Sequence, residues 1–196
     1  MSEIKVNKVS PATGTAITLG DSGDTFTVPS GATIVNSGTA TGFGGGKVLQ
    51  CLQTMLTSSF TTTTTGGTDV TGLAVTITPS ATSSKVLAFV TLSGSQTTAN
   101  NQQGFYLKRG STIIGIADSA GSRRSLSQGM NVDHNAHTSS NAWNVLDSPN
   151  TTSATVYQVA VSINSATAYI NRTESDTDAA AHYRTVSTLT LFEIGA

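Results

Sequence analysis

The chain has 196 residues, room for one or two domains plus a non-globular segment, and its 37% hydrophobic content supports a core. Only 11% of residues are charged and the net charge is -1 with the basic residues scattered, which argues against a nucleic-acid or anionic-membrane binder. Ser and Thr take up the difference, and Thr, Ser, Gly and Val richness disfavours helix and suits strands and turns, so the expected class is all-β.

Residues 1–12, MSEIKVNKVSPA, lack the basic-then-apolar pattern of a secretory signal, and no apolar run approaches the roughly 18 residues that span a bilayer. A soluble protein with no membrane insertion, made in a cytoplasm, is the expectation. Residues 13–46 carry a loose repeat in which the short runs TAITL, DTFTV and GATIV are separated by GDSG, PSG and NSGT. These separators are turn chemistries that fix φ or admit a positive one. Each run offers one or two large apolar side chains, and an isolated hairpin of such runs is marginal in water. Three copies wound about one axis would bury Ile17, Leu19, Phe26, Val28, Ile34 and Val35 as a narrow intertwined β stalk. The alternative is a disordered Gly/Ser/Thr linker.

GFGGG at 42–46 reads as a junction, and residues 47–196 change pattern to longer alternating runs. KVLQCLQTMLTSSFTTT is a first long strand, in which Cys51 reads as a small buried hydrophobe and, being the single cysteine, excludes an intrachain disulfide. LAVTITP follows and closes on Pro79. KVLAFVTLSG is apolar on both parities, as a central strand buried on two sides would be. GFYLKRG and STIIGIA flank a turn at Gly110, and AWNVLDSP, ATVYQVAVSI, ATAYINR and TVSTLTLFEIG complete about eight or nine strands. The expected head is an antiparallel jelly-roll-type β-sandwich with Val86, Phe89, Val90, Val159, Val161, Leu189 and Leu191 in its core.

Chemistry is sparse. His134 and His137 in DHNAH could ligate a metal with Asp133, although two histidines in a polar loop usually face solvent and a site needs three or four convergent ligands. Glu174, Asp176 and Asp178 alternate in TESDTD as a cation loop, a carboxylate pair or a charged loop tip. There is no GxSxG elbow, and GGG at 44–46 lacks the Lys and Ser/Thr of a phosphate loop, so no enzymatic activity and no cofactor are expected. Tyr106 and Tyr157 read as core, while Trp143 is a candidate for stacking on a sugar or anchoring a partner. Two long polar stretches, 121–143 and 171–184, are candidate recognition loops carrying Arg123, Arg124, His134, His137 and Trp143 in one and Arg172, Glu174, Asp176 and Asp178 in the other.

KVSPATGTAITLGDSGDTFTVPSGATIVNSGTATGFG resembles the repeat-bearing N-terminal segment of tail-fibre-like proteins of marine and cyanobacterial bacteriophages. VTGLAVTITPSATSSKVLAFV, LKRGSTIIGIADSAGSR, LDSPNTTSATVYQVAVSI and STLTLFEIGA resemble, in that order, the module that often follows it. The resemblance implies a homotrimeric virion protein with a stalk and a β head, an appendage that meets a host-surface glycan or protein. Other virion proteins would hold it through the N-terminal segment. The alternative is a capsid or tail decoration protein that stabilises the particle without binding a receptor. The resemblance carries no catalytic residues.

Overall fold

The computed structural model describes residues 9–35, 47–97, 102–132 and 135–195. The chain divides into two compact units, Met1–Phe43 and Gly44–Ala196.

In the first unit the turns fall where the separators lie. Asp24 N donates to Asp21 O at 3.1 Å and Ala32 N to Pro29 O at 3.1 Å. Gly23 and Gly31 close these turns at φ 97° and 86°, a region that a side chain resists. Residues 9–35 carry no strand within the single chain. Of the six residues expected at a trimer axis, Ile17, Leu19, Phe26, Ile34 and Val35 are exposed in the single chain, with Phe26 at 71% and Val35 at 82%, and Val28 is half-buried.

The second unit is all-β. Its described residues hold eleven strands and no helix: β1 (Val48–Leu56), β2 (Phe60–Thr62), β3 (Gly66–Ile77), β4 (Lys85–Gln96), β5 (Gln103–Arg109), β6 (Thr112–Ile114), β7 (Gln128–Met130), β8 (Ser139–Asp147), β9 (Thr155–Ile163), β10 (Ala168–Ile170) and β11 (Ser187–Ile194). Three pairs of these are single strands interrupted. β1 and β2 pair in succession with β11 and β10, and β11 and β10 pair in succession with β4. β6 and β7 likewise pair with the two halves of β5. The effective order is β1/β2, β10/β11, β4, β8 in the first sheet and β3, β9, β5, β6/β7 in the second. Every pairing is antiparallel, and this four-plus-four arrangement, in which the chain passes repeatedly between sheets, is a jelly roll.

Alternation decides what lies between the sheets. From the first sheet Val86, Ala88, Val90, Leu92, Trp143, Leu189 and Leu191 point inward; from the second come Phe105, Leu107, Tyr157, Val159 and Val161. At one end Lys47 O accepts from Gly195 N at 2.8 Å, so the unit begins and ends there. There Arg109 of β5 clasps Asp147 of β8 at 2.7 and 2.8 Å, and the Tyr157 hydroxyl donates to Asp147 at 2.6 Å, joining the two sheets. Burial and that hydrogen bond raise the Tyr157 phenol.

Three expectations are corrected. Phe89 is 44% exposed, because β4 alternates and Phe89 shares the outward parity with Leu87, not the inward one with Val90. β4 is therefore central without being buried on both faces along its whole length. Cys51 is exposed for the same reason, standing on the outer face of β1.

Candidate functional site

Strand direction puts the connections after Thr62, Gln96, Met130 and Ile163 at the end remote from Lys47 and Gly195. This distal end is the one turned away from the point where the chain enters the unit. Two excursions, 115–127 between β6 and β7 and 171–186 between β10 and β11, supplement it.

The excursion at 171–186 leaves the middle of the first sheet and folds over its outer face. Ser93 and Ser95 have the outward parity of β4, yet both are buried, and Ser95 Oγ donates to Arg172 O at 3.0 Å. Asn171 pins the base of the excursion. Fully buried at φ 61°, it donates through Nδ2 to Leu56 O and Ser58 O at 2.7 and 3.0 Å and accepts from Ser187 Oγ at 2.6 Å. Inside the excursion Arg172 is spent on structure: it donates to Thr173 O and Glu174 O, lies 4.5 Å from the Tyr169 ring centroid and stands 3.5 Å from Asp176. Asp176 also takes Arg184 at 2.6 Å. A shallow cleft of about 230 Å³ remains, lined by Asp176, Asp178, His182 and Arg184.

The excursion at 115–127 lies over the outer face of the second sheet. Gly104, on that face, has no room for a Cβ because Leu126 Cδ1 would stand 2.1 Å away. Arg124 reaches across to Ser162 Oγ at 3.1 Å and Gln102 O at 2.8 Å. Between this excursion and the distal end opens a cleft of about 330 Å³. Arg124 and Leu126 form one side, Gln102 and Gln103 another, and Gly129 with Asn131 the third.

The structure thus redistributes the expected recognition residues. The stretch 121–143 is not one loop, since β7 and the start of β8 interrupt it. Trp143 is removed from the recognition set. It pairs with Val90 in β8, is buried at 8% exposure and stacks on Phe105 with ring centroids 6.3 Å apart. Among the described residues the Arg123 side chain bonds its own turn, to Ala120 O at 3.5 Å, while Arg124 enters the larger cleft. His137 lies in the β7–β8 connection; Asp133 and His134 lie outside the described residues. Among the described residues no group of three or more His, Cys, Asp or Glu side chains could hold a metal.

Sequence reasoning missed Gln102, Gln103, Gly129 and Asn131. A signal was present in the phrases QGF at 103–105 and QGM at 128–130, since glycine inside a strand pattern marks a close approach or an opening. Gly104 and Gly129 prove to be cross-strand partners.

No family model matches the chain, and none of the curated proteins does. Among solved structures, one of infectious bursal disease virus, Gx strain, is similar at 13% identity and a TM-score of 0.34, covering 75% of this chain and 40% of that one. This chain thus spans less than half of the chain it matches.

Proposed function

We propose that the chain is a non-enzymatic bacteriophage virion structural protein, a homotrimeric fibre or tail appendage whose head meets the host surface with its distal end. The observation that carries this reading is the first unit: its large apolar side chains stand in solvent in the single chain, and turns recur where a stalk would need them. Closed symmetric assembly of copies is the common way to cover such a set. The head supports the attachment role because loops on a rigid sandwich can recognise a partner without disturbing the core. Sedimentation of the purified full-length chain tests the assembly, with three protomers expected and a stable monomer overturning it. Binding of that species to susceptible host cells tests the attachment.

A second reading, a decoration protein that clamps neighbouring subunits, is favoured by one feature. Cys51, Phe192, Leu87 and Leu146 are successive cross-strand partners on the outer face of the first sheet, an apolar row running straight across all four strands. Phe89 packs on Phe192 edge to face at 5.9 Å, extending the patch. Contiguous exposed apolar surface of this kind marks an interaction face. Immunolabelling of intact particles separates the readings: a fibre places the protein on an appendage, a decoration protein on the capsid or tail wall.

A further inference from the structure

Resting on the host-surface reading above, we propose that the distal cleft beside Arg124 is a saccharide site that takes an anionic sugar, one carrying a carboxylate on a hydroxylated ring.

The chemistry of the walls selects this class. Arg124 spends donors on Ser162 Oγ and Gln102 O, which fixes the guanidinium plane and, among the described residues, leaves its other N–H groups unspent. A planar guanidinium held this way matches a carboxylate in a two-pronged contact. Asn131 Oδ1 accepts from Gln96 Nε2 at 3.0 Å, so its Nδ2 is the end that can donate, and it has no partner among the described residues. Gln103 closes the base of the cleft beside Gln102, but it is 1% exposed, shares the inward parity of Phe105 and donates Nε2 to Ser95 O of the opposite sheet at 2.8 Å, so its amide serves the interior and not the ligand. Leu126, half-buried, adds apolar surface for the C–H face of a ring. Among the described residues none that lines the cleft is acidic.

Gly129 holds the cleft open. A Cβ built there meets nothing within 4 Å, and its φ is not positive, so a larger side chain would fill the cleft without straining the strand. The neighbouring Gly104 is different, being already covered by Leu126. Gly129→Leu is therefore a blocking variant expected to fold as the parent does.

The test is saturation-transfer NMR on the full-length protein, with D-glucuronate, D-glucose and inorganic sulfate as separate probes. Glucuronate is expected to give a signal at least fivefold above glucose, sulfate alone not to compete it away at equal concentration, and both Gly129→Leu and Arg124→Gln to abolish it. Arg123→Gln, which alters the neighbouring charge outside the cleft, should leave it unchanged. Equal signals from glucuronate and glucose, full competition by sulfate, or a retained signal in folded Gly129→Leu would each overturn the proposal. Cell binding separates this from the broader reading. If the parent and Gly129→Leu bind susceptible cells equally, the cleft is wrong and the attachment role stands. If the parent binds no susceptible cell but glucuronate still binds and is lost in Gly129→Leu, the site stands and the attachment role falls.

Discussion

Glu193 shows how much a single buried group contributes at this scale. It is fully buried on the inward face of β11 and forms no ion pair among the described residues, yet it stays ionised. Burial pushes its pKa up; against that, the Gln50 side-chain amide, Ser80 Oγ and the Ser80 backbone N–H, the last two at 2.6 Å, hold it down at about 2. A carboxylate accepting several hydrogen bonds, one from the backbone, behaves in this way. Because the folded value lies below the ordinary 4.5, the group's stabilisation is fully present above about pH 4.5 and is lost as pH falls toward 2. The drop corresponds to on the order of 3 kcal/mol. Glu193→Gln should lower stability at pH 7 and leave a variant whose difference from the parent shrinks between pH 4.5 and 2, as urea denaturation at several pH values would show. A difference that stays constant across that window would show that the carboxylate charge is not what matters. Trp143 and Phe89 make a paired residue test. Trp143→Ala, which empties the space beside Phe105, should cost about 3 to 5 kcal/mol. Phe89→Ala removes an outward ring and should cost less than about 1 kcal/mol in the protomer.

At the scale of elements, the strands that alternate cleanly were legible from sequence, and the interruptions were not. TVYQVAVSI and STLTLFEI declare their inward residues by parity alone, and Val159, Val161, Leu189 and Leu191 are buried as that parity requires. KVLAFV is apolar on both parities, so periodicity cannot tell Val90 from Phe89; the choice is made by what β11 and β8 place opposite them. Nor can local pattern reveal that ATAYI and STLTLFEI are one strand with an excursion inserted, because only their shared partner β4 shows it. Asn171 is the residue that makes this insertion workable. Asn171→Ala leaves Leu56 O and Ser58 O unpaired and keeps a side chain at φ 61°, where Ala is disfavoured. The expected cost is about 2 to 4 kcal/mol, with faster proteolysis inside 172–186. Asn171→Gly relieves the backbone and loses the same bonds, so it should fall between Ala and the parent. If Ala and Gly were both as stable and as protease-resistant as the parent, Asn171 would not be what anchors the excursion. The candidate cleft was illegible for a related reason: Gln102, Arg124 and Asn131 are brought together by sheet pairing and by an excursion lying across it.

For the whole molecule, the decisive quantity is apolar surface that one chain leaves in water. The first unit exposes Ile17, Leu19, Phe26, Ile34 and Val35 on turns too short to fold back on themselves, and nothing within residues 9–35 covers them. Copies of the chain are the economical cover, and the prediction is specific to one side chain. Phe26 is the largest of the set, so in a three-copy stalk Phe26→Asp would place three carboxylates near one axis. Each would be removed from water without a cation, at several kcal/mol per chain, and they would repel one another. The head would not notice, since its core is built wholly from residues of the second unit. The expected outcome is a Phe26→Asp protein that sediments as a single protomer with the β circular-dichroism spectrum of the parent. Phe26→Leu, which keeps an apolar side chain there, should remain assembled. If Phe26→Asp sediments like the parent, Phe26 faces solvent in the assembly and the axis must be sought among other residues. Loss of the β signal in Phe26→Asp would mean instead that the head depends on the first unit for its folding.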